Sequence, residues 1–279
     1  MKFEPFFLTG APKSGTTWLG KLLDAHPQIN CRGEACVHHF GLQLVQACKS
    51  YGELLEKRRA SVSEDNAFPP LKWADVLAML RTFIELRLAA IADPGKPALR
   101  FVGEKDPEHG MHLQSLDQLF PDAKFIHIIR DGRAVFISAW HHNVRSRDEN
   151  LEKLGFDDFL EITAREWSDR VRRARAAGLR LGGRYLEIRY EDLAADPGSW
   201  MKRTLDFLGA SSSPEVLQAC IDAASFEKLS KGRKPGEEDT ASFFRKGVPD
   251  DWRNHLSASQ IQRFGAHAGG LLEELGYPG

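Results

Sequence analysis

Residues 10–18, GAPKSGTTW, constrain this chain more than any other stretch, because two glycines bracket a turn between an apolar run and a helix-forming run. Phe6, Phe7 and Leu8, bounded by Pro5 and Gly10, read as a short buried strand, and beyond the turn Trp18, Leu19, Leu22 and Leu23 recur at helical spacing. The turn therefore opens a helix. Unpaired amides from Ser14 to Trp18, the positive end of the helix dipole and the hydroxyls of Thr16 and Thr17 would converge on an anion such as phosphate. A nucleoside triphosphate loop carries lysine directly after its second glycine, but here Thr16 stands there. The lysine is Lys13, two residues before Gly15 on the crown of the loop, where it meets a different part of a ligand. A purely structural turn is the competing reading of the glycines alone.

The rest of the chain repeats the strand-then-helix pattern. Strands are predicted at 6–9, 99–102, 125–129 and 185–188, and helices at 15–25, 73–92, 110–119, 132–142, 159–177 and 200–208. This alternation predicts an α/β fold, one domain over residues 1–279 with a central parallel sheet flanked by helices. With 279 residues, 42% of them hydrophobic, the chain is long enough to bury one large core. Arg130 directly follows the apolar run 125–129, so it emerges at the carboxyl end of a buried strand, where open α/β sheets bind ligands. Its planar, permanently charged fork suits a phosphate, although a salt bridge to Asp131 would also explain it. A helix starting at Asp131 would return the hydroxyl of Ser138 to the same place.

PKSGTTW resembles the 5′-phosphosulfate loop of sulfotransferases that use 3′-phosphoadenosine 5′-phosphosulfate (PAPS). FIHIIRDGRAVFISAW at 125–140 is similar to that family's 3′-phosphate motif, and RYEDL at 189–193 and FRKGVPDDW at 244–252 resemble its remaining nucleotide-contacting segments in the expected chain order. The resemblance spans nearly the whole chain. It implies a P-loop-like nucleotide-binding architecture and transfer of a sulfuryl group from PAPS to a hydroxyl or amine acceptor, leaving 3′-phosphoadenosine 5′-phosphate (PAP). It further implies a donor site formed by Lys13, Ser14, Gly15, Thr16, Thr17, Trp18, Arg130, Ser138, Tyr190, Phe226, Arg245, Lys246 and Gly247. In that site Trp18 and Phe226 would lie on either side of adenine, Tyr190 would reach its edge, and the 245–247 loop would close over the 3′-phosphate. An ordinary core role competes for each aromatic residue taken alone.

The segment 22–40, LLDAHPQINCRGEACVHHF, resembles the corresponding stretch of tyrosylprotein sulfotransferases, whose catalytic glutamate falls on Glu34. Burial there would raise a carboxylate toward the working range of a general base, whereas a solvated loop glutamate is the alternative. Cytosolic sulfotransferases instead place a histidine two residues after a lysine that corresponds to Lys105. GEKDP at 103–107 keeps the lysine but has Pro107 at the histidine position, so the resemblance makes Lys105 a second cation at the transferred group. A salt bridge from Lys105 to Asp106 or Glu104 is the bland alternative, and His109 and His112 remain as other bases.

A formal charge of −1 argues against a polyanion-coating protein, so phosphate-binding charge is expected to be local. The arginine-rich run 170–184 reads as a solvated helix face rather than a nucleic-acid surface, since it lacks interleaved aromatics. Cys31, Cys36, Cys48 and Cys220 show no paired CxxC spacing, so no metal site is expected, and the pairs His38–His39 and His141–His142 cannot each aim both rings at one ion from a regular helix. With no leader and no apolar span of some 20 residues, a soluble cytoplasmic protein is expected. The stretch 61–70 is a loop or lid candidate, and residues 37–70 are expected to wall the acceptor pocket. The Gly- and charge-rich segment 231–242 is expected to order when nucleotide binds. The acceptor could be a small molecule, lipid, sugar or peptide. An ATP-using kinase or hydrolase and a noncatalytic nucleotide-binding protein are the alternatives.

Overall fold

Strand β1 (Glu4–Thr9) is buried on both faces from Phe6 onward, and its side-chain alternation sets the layers of the molecule. The computed structural model describes residues 3–62, 68–147 and 153–278. Phe6 and Leu8 face one way, into a core with Leu19, Leu22 and Leu23 of α1 (Thr16–Asp24). Phe7 faces the other way, into a core with Ile84 and Leu88 of α3 (Trp73–Ala90) and Leu113 and Leu116 of α4 (Leu113–Leu119). Helix α2 (Val37–Arg59) precedes α3 in the chain and buries only Val37 and Gly41.

Five parallel strands make the sheet: β1, β2 (Ile29–Arg32), β3 (Phe101–Lys105), β4 (Lys124–Ile129) and β5 (Tyr185–Arg189), in the order β2-β3-β1-β4-β5. The expected parallel sheet flanked by helices is therefore present. Because β1 lies between β3 and β4, the turns leaving β1 and β4 emerge side by side at the carboxyl edge, the position where such sheets bind ligands. Contact there is close. A Cβ on Gly10 would stand 2.3 Å from the Ile128 carbonyl oxygen, so only glycine lets the two strand ends converge. Helices α5 (Gly132–Arg145), α6 (Phe156–Arg180) and α11 (Ala258–Ala268) enclose a third core around Phe136, Trp167 and Phe264. Between α6 and α11 the chain forms α7 (Tyr190–Ala195), α8 (Pro197–Leu208), α9 (Pro214–Ala223) and α10 (Phe226–Leu229), and α12 (Leu271–Glu274) follows α11.

Several sequence expectations are corrected. The strand expected at 99–102 begins at Phe101 and runs on through Gly103, Glu104 and Lys105, two charged residues that break the apolar run. Gly103 belongs there because Phe6 lies opposite it in register, and a Cβ would stand 2.2 Å from the Phe6 ring. The helix expected at 110–119 divides into a 3-10 turn at Pro107–Met111 and α4, because His112 leaves helical geometry at φ −128°. Strand β2 and the 23-residue α2 were not anticipated, the first for its brevity and the second for its weak apolar stripe. Of the lid candidate at 61–70, residues 63–67 lie outside the described residues. Among the described residues no helix is long and apolar enough to cross a membrane.

Candidate functional site

A cleft of about 470 Å³ opens above the turns that leave β1 and β4. Its floor is the start of α1. Gly15 stands at the N-cap with φ 97°, a left-handed conformation that glycine adopts without strain, and no side chain among the described residues caps the helix. The first-turn amides of Thr16, Thr17 and Trp18 are thereby left without helical acceptors at the positive end of the dipole. Ser14 is fully buried, and its Oγ has no hydrogen-bond partner among the described residues. An orphaned hydroxyl at a helix start fits an anion that completes its bonding.

Lys13 hangs over this floor with its ammonium 4.8 Å from the Phe243 ring centre. Burial, then the charges of Arg145 and Arg130, push its pKa down to about 8. Such crowding of cations is unfavourable until an anion enters. Arg130, at the carboxyl end of β4, does not bridge to Asp131. Asp131 is taken by Arg133, at 2.8 and 3.0 Å. Arg130 instead donates to the Lys13 carbonyl at 3.2 Å and stacks its guanidinium 4.4 Å over Tyr190, while its buried Nε has no partner among the described residues. Ser138, one face of α5 onward, also lines the cleft.

Trp18, Tyr190, Phe226 and Gly247 complete one wall. Trp18 is fixed by its indole N–H on the Ala224 carbonyl at 3.0 Å and meets Tyr190 edge-on at 5.6 Å. A Cβ on Gly247 would lie 2.4 Å from the Phe226 ring, so the glycine lets the 245–247 loop close over that aromatic. Arg245 and Lys246 line the cleft but each also holds Asp251, both at 2.5 Å. Burial alone would raise the Asp251 carboxyl, but the bonds from Lys246 and Arg245 outweigh it and keep its pKa well below the usual range. Arg233 ties the preceding loop together by donating to the carbonyls of Phe244, Arg245 and Glu237.

Glu34 lines the cleft and is ion-paired with Lys105, which does not itself line it, so the partner of Lys105 is neither Asp106 nor Glu104. The expectation of a buried Glu34 is corrected: its side chain is 48% exposed, because residues 33–36 pass over the end of β3. Burial acts instead on neighbouring Glu104, whose pKa it raises to about 7 against the opposing bond from the Ala35 amide. His109 is fully buried and bonded to His38 at 2.8 Å, and neither it nor His112 lines the cleft. None of the described residues within 37–70 lines it either.

Asp106, Glu108, His142, Phe243 and Phe244 line the cleft without having been anticipated. The KDP and FF contexts beside assigned residues were the available signals for four of them. His142 lies one helical turn beyond Ser138 on α5, a spacing that could have found it. Of the pair His141–His142 only His141 joins a cluster of ligand-type atoms: His141, Glu238 and His255 each bring one within 4.8 Å of the others. Glu238 is, however, engaged by Arg245, and His255 by Asp251 at 3.0 Å.

The family model described as "Sulfotransferase family" matches residues 5–214. The chain belongs to the sulfotransferase family, as its motifs predicted. Among individual proteins it is similar to "Protein-tyrosine sulfotransferase 2" of Gallus gallus, 29% identical over 276 residues covering 97% of this chain and 68% of the relative. It is also similar to "Sulfotransferase 1A1" of Rattus norvegicus, 26% identical over 285 residues covering 95% of this chain and 83% of the relative. The fold matches that of mouse sulfotransferase SULT7A1, solved in complex with PAP, with a TM-score of 0.61 and 19% identity over 98% of this chain and 84% of that one.

Proposed function

We propose that this enzyme moves a sulfuryl group from PAPS to a hydroxyl or amine acceptor by in-line displacement, with Glu34 as general base and Lys13 and Lys105 as cations at the transferred group. Membership of the family makes PAPS the sulfuryl donor. The observation that carries the site assignment is the pairing of two anion-seeking ends in one cleft. One is the uncapped start of α1 with Lys13 above it and the orphaned Ser14 hydroxyl within it. The other is Arg130 with Ser138, backed by the loop of Arg245 and Lys246. Trp18 and Phe226 supply apolar faces suited to the adenine ring between them.

Each step then has a group to perform it. Glu34 accepts the acceptor's proton as the oxygen or nitrogen attacks sulfur, and the bond from sulfur to the 5′-phosphate oxygen breaks. Charge growing on the departing phosphate is met by Lys13 and the α1 amides, which are in place before reaction. Lys105 holds the Glu34 carboxylate toward the cleft. The acceptor class follows the two groups of relatives, a peptide tyrosine or a small hydroxylated molecule. A thermal-shift series decides the donor: PAP is expected to raise the melting temperature by several degrees and ATP with magnesium by much less. Equal stabilisation by ATP would contradict a site built for a 3′-phosphate. An acceptor screen with labelled PAPS then assigns the substrate.

A further inference from the structure

We propose that Glu104, backed by His109 and His38, is a protonation-dependent positioning residue that clamps the loop carrying Glu34 onto the end of β3. The role in catalysis rests on the reading of Glu34 as base; the clamp itself does not. Two consecutive residues of the loop are gripped by two consecutive residues of the strand: Lys105 holds the Glu34 carboxylate, and Glu104 Oε1 accepts from the Ala35 amide at 2.8 Å. The backbone just before them sits tight on the strand, since a Cβ on Gly33 would stand 1.9 Å from the Lys105 carbonyl oxygen. Strand alternation sends Lys105 and Glu104 to opposite faces, so the loop is held from both sides.

Behind the clamp runs a line of imidazoles. Glu104 Oε2 lies 3.6 Å from His109 Nε2, which has no hydrogen-bond partner among the described residues, and His109 Nδ1 is bonded to His38 Nε2 at 2.8 Å. His38 stacks on His112 with centres 4.1 Å apart, and His109 packs edge-on to Phe7 at 5.1 Å. Burial pushes His38, His109 and His112 all below their ordinary pKa, so the line is neutral and each bond is set by tautomer. With Glu104 ionised, His109 keeps its proton on Nε2, facing the carboxylate, and Nδ1 accepts from His38. When Glu104 takes up a proton, the charge facing His109 Nε2 across 3.6 Å is lost, and with it the preference for that tautomer.

The clamp is strong only in the first state, because an ionised acceptor makes a shorter and roughly twofold stronger bond to an amide than a neutral one. Glu104 titrates near neutrality. The groups that face it are Ala35 and Glu34 on the loop, Asp106 at the strand end, Arg87 on α3, Cys31 on β2, and His109. A cavity of about 110 Å³, bounded by Arg32, Arg87, Leu88 and Ile91, reaches Glu104 from outside and gives protons a route in. The loop is thus expected to be tightest above the Glu104 pKa and to loosen as pH falls through it.

The test is the protection factor of the Ala35 amide, measured by hydrogen exchange on the whole protein from about pH 5.5 to 8.5 and corrected for intrinsic exchange. In the wild type it is expected to rise about tenfold across neutrality. Glu104→Gln, which keeps an acceptor but cannot titrate, is expected to give a flat intermediate value, Glu104→Ala to lose the protection, and His109→Leu to move the midpoint upward. Glu34→Gln is expected to keep the pH dependence with its midpoint moved downward, because it removes a charge that raises Glu104. PAP affinity should be unchanged in Glu104→Ala while kcat falls about 10- to 100-fold, the scale of a small misplacement of a catalytic group. A pH-independent Ala35 protection factor in the wild type, or its retention in Glu104→Ala, would overturn the clamp. Wild-type kcat in Glu104→Ala would overturn its part in the reaction. Failure of the base reading shows separately, as a wild-type rate in Glu34→Gln.

Discussion

Glu34→Gln is expected to lower kcat for sulfuryl transfer about 10²- to 10⁴-fold while leaving PAP affinity within about twofold of wild type. The amide keeps the size and one acceptor of the carboxylate but cannot take the acceptor's proton. Selectivity for kcat follows from the proposed role, since Glu34 is assigned to the acceptor's proton and not to a nucleotide contact. Stopped-flow or steady-state rates at saturating PAPS, paired with calorimetric PAP binding, provide the check. A kcat near wild type would remove Glu34 from the role of base.

Lys13→Ala is expected to cost about 10²- to 10³-fold in kcat, the scale of removing one preorganised donor from a developing oxyanion. Unlike the Glu34 change it should also weaken PAP binding, because Lys13 stands over the uncapped start of α1 proposed to hold the 5′ end. Its pH behaviour gives an independent sign. Burial and the charges of Arg145 and Arg130 lower its pKa to about 8, so in the free enzyme the cation is present below that pH and lost above it. A bound phosphate favours the cation and raises the pKa. Above about pH 8 nucleotide binding is therefore expected to take up a proton, and affinity to fall as pH rises. Calorimetry at high pH in buffers of different ionisation enthalpy measures the uptake, and Lys13→Ala should abolish it.

Much of the cleft was legible because its parts are local. GAPKSGTTW fixes a glycine N-cap and an uncapped helix start within nine residues, and an apolar run ending in Arg130 fixes where that guanidinium emerges. What the sequence concealed depends on distant pairings. The bond between Ala35 and Glu104 spans 69 residues and that between His38 and His109 spans 71, so neither leaves a periodic trace. Glu104 looked like part of a charged strand end, and only the packing of loop 33–36 against β3 shows that it is buried while Glu34 is exposed. The 231–242 segment was recognisable as Gly- and charge-rich, but the engagement of Arg245 and Lys246 just beyond it by Asp251 required the fold.

That engagement bears on the end of the cleft proposed to hold the 3′-phosphate. Asp251 neutralises the two cations in the structure described here, whereas Arg130 keeps an unpartnered Nε beside Tyr190. On the proposed assignment of this end to the 3′-phosphate, loss of Arg130 should erase recognition of that phosphate more completely than loss of either loop cation.

The most direct measurement is calorimetric comparison of PAP with adenosine 5′-monophosphate, which differ only in the 3′-phosphate, on the wild type and on Arg130→Ala. The wild type is expected to prefer PAP by about 10²-fold or more, the sum of charge-assisted bonds to one phosphate, and Arg130→Ala to lose most of that preference. Equal affinity of the wild-type enzyme for the two nucleotides would contradict a donor site gripped at both ends.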